Sequence, residues 1–316
     1  MKYLVTGAAG FIGNALAGSL AADGHEVVAI DNLNEYYDVS LKHDRLKNLP
    51  EAVQFIQMDV NDPQLLAVCQ QEKFDAICHL AAQAGVRYSI EAPQEYITNN
   101  YVATFNILEL AKKTAIKKVV FASTSSVYGE SEIVPFTESV AADTPVSVYA
   151  ATKRGSEILA HSYHSLYGID FIGLRFFTVY GPWGRPDMAP YIFTDKILKG
   201  EKISVFNNGD MLRDFTYVDD IVAGFKQAVA TGVRYKIYNL GNGVPVKLMD
   251  FIASIESATG KKADIEFMPM QPGDVTRTFA DIAHAQHDLG YNPTTRLEQG
   301  IENYVSWFRN YYRNHI

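Results

Sequence analysis

The 316-residue chain has little cysteine, no long apolar run and no excess of basic residues. Its two cysteines, Cys69 and Cys78, sit in apolar segments without zinc-site or redox-pair spacing, so buried free thiols are expected and no disulfide framework supports the fold. A reducing cytoplasm suits that usage. No apolar stretch reaches the ~18 residues of a membrane span, and no basic leader precedes the first strand, so neither a span nor a secretory signal is expected. Lysines and arginines number 28 against 36 aspartates and glutamates, a net charge of −8. No basic cluster offsets this, so nucleic acid is not an expected partner, whereas a small anion needs only a few local arginines. Metal-ligand patterns are also thin. His161/His164 and His284/His287 have i, i+3 spacing but no companion carboxylate in register, so no metal is expected. Gly-x-Ser-x-Gly, Ser-His-Asp and Walker-type patterns are not apparent, and no repeat or long Pro/Ser linker divides the chain.

What is present is a large apolar fraction, 47%, in strand-length runs alternating with helix-period stretches. Tyr3–Thr6, Glu26–Ile30, Gln54–Gln57, Ala76–Leu80, Lys118–Ser123 and Phe171–Phe176 read as strands buried on both faces. Helices are expected near Gly13–Ala22, Asp62–Glu72, Pro93–Ala115, Val148–Tyr167 and Asp195–Gly200. This is the pattern of an α/β fold with a doubly wound parallel sheet. The length argues for about two domains, since single cores stop growing at ~250–300 residues. Residues 1–178 are expected to form a dinucleotide-binding domain of Rossmann type, with 214–242 returning to it through a strand near Tyr238–Gly241. Residues 179–316, where Pro182, Pro186 and Pro190 crowd together, are expected to form most of a smaller α/β substrate lobe. Thr294–Tyr312 places Leu297, Ile301, Val305 and Phe308 at helical spacing, as a docking helix would.

The first strand runs directly into Gly7-x-x-Gly10-x-x-Gly13. Gly7 permits a tight turn, Gly10 lets the backbone approach a pyrophosphate, and Gly13 allows close packing of helix on strand. The helix start at Phe11 and Ile12 then presents free N–H groups and a favourable dipole to the phosphates. Asp31, followed by Asn32, ends the second strand, where a carboxylate binds ribose hydroxyls and repels a 2′-phosphate, so NAD is expected over NADP. Asp59 and Val60 close the third strand for the adenine, and Leu80-Ala81-Ala82 follow the fourth on the pyrophosphate-ribose side. His79 is expected to be packed or hydrogen-bonded rather than catalytic. Asp219-Asp220 reads as a helix-start pair capping Ile221 onward.

Tyr149-x-x-x-Lys153 opens a later helix. A tyrosine is a poor base at neutral pH, and lowering its pKa by about three units requires roughly 4 kcal/mol of phenolate stabilisation. Lys153 one turn away, with a positive nicotinamide, is expected to supply it. Ser123 and Thr124 end the fifth strand, where a hydroxyl can bridge a substrate and Tyr149. The set reads as a redox enzyme. A non-catalytic nucleotide-sensing scaffold on the same fold would not need both Tyr149 and Lys153.

This combination resembles the extended short-chain dehydrogenase/reductase superfamily over essentially the whole chain. Within it the chain is most similar to the UDP-glucuronate 4-epimerases. The stretches that carry the likeness are His79-Leu-Ala-Ala-Gln-Ala-Gly-Val-Arg-Tyr-Ser89, Tyr149-Ala-Ala-Thr-Lys153, Leu174-Arg-Phe-Phe-Thr-Val-Tyr-Gly-Pro-Trp-Gly-Arg-Pro-Asp-Met188, Gly209-Asp-Met-Leu-Arg-Asp-Phe-Thr-Tyr-Val-Asp-Asp220 and Met270-Gln-Pro-Gly-Asp274. The resemblance implies interconversion of UDP-glucuronate and UDP-galacturonate through a transient 4-keto sugar, with tightly bound NAD, by an NAD-dependent isomerase acting as a homodimer. It implies that Tyr149, Lys153 and Thr124 are catalytic, that Asn100 lies beside the cofactor, and that Ser125, Ser126 and Thr178 orient the sugar carboxylate. Arg185 and Arg213 are implied at the diphosphate, Asp274 at the uridine ribose, and Arg87 at the sugar or phosphate. Related dehydratases carry Asp-Glu in the place of Ser125-Ser126, UDP-glucuronate decarboxylases carry Glu in the place of Ser126, and UDP-galactose 4-epimerases usually carry Asn in the place of Thr178. Those reactions, decarboxylation and neutral-sugar epimerisation, are the alternatives. Ala103 departs from a common Gly, and the connection Ala228–Lys236 is shorter than in many relatives.

Overall fold

A computed structural model describes residues 1–131, 133–270 and 276–313. Seven parallel strands form the main sheet. β1 (Lys2–Thr6), β2 (Glu26–Asp31), β3 (Val53–Gln57), β4 (Ala76–His79), β5 (Lys118–Thr124) and β6 (Asp170–Phe176) are joined by a seventh, Tyr235–Leu240. The order is Tyr235–Leu240, β6, β5, β4, β1, β2, β3. The direction of winding reverses between β1 and β4, where Thr6 is in register with His79, and a ligand cleft is expected beyond the carboxyl ends of strands at such a point.

Alternate residues of each strand enter opposite layers, as the two-residue period of a strand requires. Val5, Val27, Cys78, Val120 and Ile172 pack under α1 (Phe11–Ala22) and the helix Val218–Ala230. Leu4, Val28, Ile77, Val119 and Phe171 face the helices Ala103–Thr114 and Val148–Tyr167 on the other side. Both thiols are buried and free, and burial raises their pKa values. The layer under α1 continues without a break into the second half of the chain, through Phe215, Phe251, Ile301 and Phe308. The C-terminal helix, Leu297–Tyr311, buries Ile301, Val305 and Phe308 in that layer.

Several elements depart from the sequence reading. The helix expected at Asp195 begins at Ala189, because Pro190 occupies the first turn, where a missing N–H costs nothing. The expected helix from Pro93 to Ala115 is interrupted by a π-helical stretch, Ile97–Val102. A polar helix not anticipated from its weak periodicity, α2 (Val39–Lys47), starts at Asp38, whose carboxylate accepts from Ser40 N at 2.9 Å. The helix expected from Asp62 starts at Leu65; this is α3 (Leu65–Glu72). Asp220 does not cap its own helix. Its two oxygens accept from Thr294 N (3.0 Å) and Thr295 N (3.1 Å), tying the approach to the C-terminal helix onto the sheet layer. Among the described residues no helix is long and apolar enough to cross a membrane.

Candidate active site

The glycine loop explains itself sterically. A Cβ on Gly7, whose φ is +74°, would lie 2.7 Å from Ala81 N, and one on Gly13 would lie 2.1 Å from Gly7 O. The loop after β4 and the start of α1 therefore close on β1 only because neither residue has a side chain. Thr6 locks the far side: its Oγ1 accepts from Leu80 N (3.2 Å) and Ala81 N (3.1 Å). Its hydroxyl proton is then left for His79 Nδ1 at 2.8 Å, which places the imidazole hydrogen on Nε2, toward Thr104 Oγ1 at 3.4 Å. His79 is fully buried and its pKa is driven down to about 3, first by desolvation and then by the charge of Lys153. It is a neutral structural residue.

No side chain caps α1, so the N–H groups of its first turn open toward the cleft. That cleft, about 360 Å³ in volume, is lined by Gly7, Gly10, Phe11, Ile12 and Gly13, by Asp31, Asn32, Asp59 and Val60, and by Leu80, Ala81 and Ala82. Asp31 accepts from Ala9 N (3.0 Å) and Leu33 N (2.8 Å), and Asp59 from Asn32 Nδ2 (2.7 Å) and Asn61 N (2.7 Å). An uncapped helix start, a cradle that any Cβ would fill and a carboxylate at the end of β2 fit a dinucleotide. Lys42, missed from sequence because α2 was missed, also lines the cleft and is attracted by Asp31. Its buried ammonium donates to Asn34 O (2.6 Å) and Asn34 Oδ1 (2.7 Å).

The same cleft brings Thr124, Ser125, Ser126, Tyr149, Lys153, Thr178 and Arg185 together. Ser147 caps the helix that carries Tyr149, accepting from Ala150 N at 3.1 Å. Thr124 caps the short turn Ser125–Tyr128 and donates to Ser126 Oγ at 3.1 Å, so the hydroxyl row is held by its own hydrogen bonds. Burial raises the Tyr149 phenol above its ordinary pKa; a hydrogen bond with Thr124 and the charge of Arg185 oppose this. Lys153 is not among the groups that oppose it. Lys153 is itself buried, its Nζ donates to Ala122 O at 3.0 Å, and desolvation takes its pKa down to about 7 against a partial counterpull from Glu157.

Ser123, the other candidate bridge, lines the same cleft, but its hydroxyl is engaged elsewhere. Its hydroxyl donates at 2.6 Å to Glu157, which also receives Arg175 Nε (3.0 Å), Arg175 Nη2 (2.8 Å) and Arg154 Nη1 (3.1 Å). Arg175 lies 4.7 Å from the centre of the Tyr128 ring. This buried charge cluster, one turn beyond Lys153, had no signature in the sequence. Asn100 stands behind the cleft wall, bridging Gln83 N and O at 2.7 and 3.0 Å. Arg87 stacks over Phe206 at 5.4 Å, and Arg213 donates to Thr276 O at 3.1 Å, both away from the cleft lining. Arg185 is paired with Asp187, which also accepts from Tyr36 Oη at 3.1 Å. Asp274 lies outside the described residues. Among the described residues no group of three His, Cys, Asp or Glu is arranged to hold a metal.

A doubly wound sheet with a glycine cradle, an acid at the end of β2 and a Tyr/Lys pair at the cleft defines a dinucleotide-dependent enzyme of the short-chain dehydrogenase type. The comparison with known families is specific: residues 3–241 match the model of the NAD dependent epimerase/dehydratase family, and the chain belongs to that family. It is 44% identical to UDP-glucuronate 4-epimerase 4 of Arabidopsis thaliana over 99% of this chain and 76% of that one. The Bacillus cereus UDP-glucuronic acid 4-epimerase, solved with UDP-glucuronic acid and NAD, superposes with a TM-score of 0.93 at 36% identity, covering 99% and 100% of the two chains. The Thermotoga maritima UDP-glucose 4-epimerase, solved with UDP-glucose, gives 0.91 at 30% identity over 98% and 99%. Backbones this similar serve both neutral and acidic sugars in those relatives, so discrimination has to lie in side chains.

Proposed function

We infer that the protein is a UDP-glucuronate 4-epimerase, interconverting UDP-glucuronate and UDP-galacturonate. The observation that carries this reading is the hydroxyl row Thr124–Ser125–Ser126 with Thr178 in one cleft with Tyr149 and Arg185. A C4 ketone leaves the C5 carboxylate in the β position, prone to loss of carbon dioxide. Neutral hydroxyls hold that carboxylate without offering an acid to protonate the product of C–C cleavage. NAD, held by the glycine loop, Asp31 and Asp59, supplies the hydride acceptor for C4 and the donor for its return. Tyr149 takes the C4 hydroxyl proton and gives it back, with Thr124 as its hydrogen-bond partner. Arg185 adds a fixed positive charge that favours both the phenolate and an acidic sugar. Between the two proton transfers the 4-keto sugar turns about its phosphate linkage and presents its other face.

Residues 1–178 with 214–242 hold the dinucleotide in this reading, and most of 179–316 holds the UDP-sugar. A homodimer is supported by an apolar stripe left exposed on adjoining helices, formed by Ile97, Tyr101, Phe105, Ile158 and Leu166; single-species sedimentation at twice the chain mass tests it. Free buried thiols favour a cytoplasmic setting. The deciding experiment is incubation of the purified protein with UDP-glucuronate and no added reductant. UDP-galacturonate should appear. A UDP-pentose with carbon dioxide as main product would replace the reading with decarboxylation.

A further inference from the structure

Arg45, on α2, is fully buried, and among the described residues its guanidinium has no carboxylate partner. Burying an uncompensated charge is costly, and a neutral side chain would fill the same space without that cost. The charge is spread instead over backbone carbonyls and one phenol. Nη1 donates to Ala9 O (3.0 Å) and Tyr37 Oη (2.5 Å), while Nε and Nη2 donate to Trp183 O (3.1 and 2.6 Å). The same residue's backbone carbonyl accepts from Asn14 Nδ2 at 3.1 Å, and that amide also donates to Ala8 O at 3.2 Å. One arginine thus fastens the glycine loop, the loop before α2 and a turn in the second half of the chain.

The turn it grips is strained. Trp183 has φ +66°, a left-handed conformation that a bulky side chain adopts only when its surroundings impose it. Two grips impose it here. Arg45 holds the carbonyl, and Trp307 and Tyr311 hold the indole at ring-centre distances of 5.3 and 4.9 Å. Two residues further on, Arg185 reaches the cleft. Its far side is fixed as well, since Asp187 pairs with it and receives Tyr36 Oη. Arg45 and Tyr36, both from the segment following β2, therefore bracket Arg185 from either side. The groups facing Tyr149 are Thr124 from β5, Arg185 from this turn and the Tyr96 ring at 6.0 Å, with Lys153 one turn along its own helix. Arg185 is the one whose place depends on the turn.

We propose that Arg45 is a positioning residue that locks the Trp183 turn to the glycine loop and so holds Arg185 beside Tyr149, keeping the cofactor loop and the sugar end of the cleft in one geometry. The part of this that concerns catalysis rests on Tyr149 being the proton-transfer group. The link to the glycine loop does not. A planar fork is needed because the acceptors lie in two directions, which an ammonium cannot serve at once.

The test uses the full-length NAD-loaded protein with Arg45→Gln and Arg45→Lys. Arg45→Gln should speed NAD release, followed by the loss of bound-cofactor fluorescence after reduction, by about tenfold or more. It should also lower kcat for UDP-glucuronate with a smaller change in KM, and move the acidic limb of the kcat–pH profile upward as Arg185 leaves the phenol. Arg45→Lys should show the same two changes to a smaller extent, and serves alone if the Gln variant does not fold. A folded variant that only melts at lower temperature, with NAD release or the pH limb as in the unaltered protein, overturns the proposal. If the unaltered protein fails to turn over UDP-glucuronate, the functional reading fails; NAD release from the variants still decides the link to the glycine loop.

Discussion

Replacing Glu157 with Gln attacks a buried point where one carboxylate holds two arginines. In the native cluster Oε1 receives Ser123 Oγ and Arg175 Nε, and Oε2 receives Arg175 Nη2 and Arg154 Nη1. A glutamine keeps one oxygen. Its amide nitrogen faces an arginine N–H whichever way it is turned, and only the Ser123 hydroxyl can reverse to accept from it, so at least one hydrogen bond is lost and the Arg175 charge loses its counter-ion. Arg175 is only 3% exposed and its Nη1 already has no hydrogen-bond partner, leaving the Tyr128 ring as its main compensation. Breaking a buried pair by removing one partner costs about 3–5 kcal/mol. Guanidinium denaturation of the NAD-loaded protein should show that loss. The double variant Glu157→Gln/Arg175→Met should recover much of it, because the orphaned charge is gone. Glu157 also opposes the desolvation of Lys153, so the variant should titrate Lys153 below its present value of about 7. A loss under about 1 kcal/mol, or no recovery in the double variant, would refute the view that Arg175 and Glu157 form a buried charge pair.

Four further outcomes are expected. Tyr149→Phe should lower kcat by ~10²–10⁴-fold while NAD remains bound, since the glycine loop is untouched; cofactor loss together with activity would contradict the assigned roles. Gly13→Ala places a methyl 2.1 Å from Gly7 O and should cost at least about 1–3 kcal/mol and release NAD, read by thermal melting and absorbance of the retained cofactor. Ser126→Glu should divert UDP-glucuronate toward carbon dioxide and a UDP-pentose, measured as released gas. Lys153 has a folded pKa near 7, well below an ordinary lysine. The unfolded state therefore binds more protons above pH 7, and stability rises with pH until the unfolded lysine also deprotonates. With the cofactor removed, the native protein should gain roughly 2–3 kcal/mol on Lys153→Met between pH 7 and 9, and a flat difference would show that this lysine is not desolvated.

Much of the architecture was written in local pattern. Strand-length apolar runs, glycines at 7, 10 and 13, the acid at position 31 and the Tyr149/Lys153 spacing depend on residues close in sequence, where covalent geometry already dictates which side chains share a face or a turn. The weakly periodic α2 was not legible, and Lys42 and Arg45 went unseen with it. The helix expected from Asp195 was placed too late because Pro190 stood in the way, although a first helical turn accepts proline freely. Tertiary structure alone decided the partners that lie far apart along the chain. Ser123 turned to Glu157 rather than Tyr149, Asp220 bound the approach to the last helix rather than capping its own, and Arg45 met the carbonyl of Trp183, 138 residues away. The physical reason is that a buried polar atom must find whichever partner packing brings within about 3 Å, and packing is a property of the whole core rather than of any one segment.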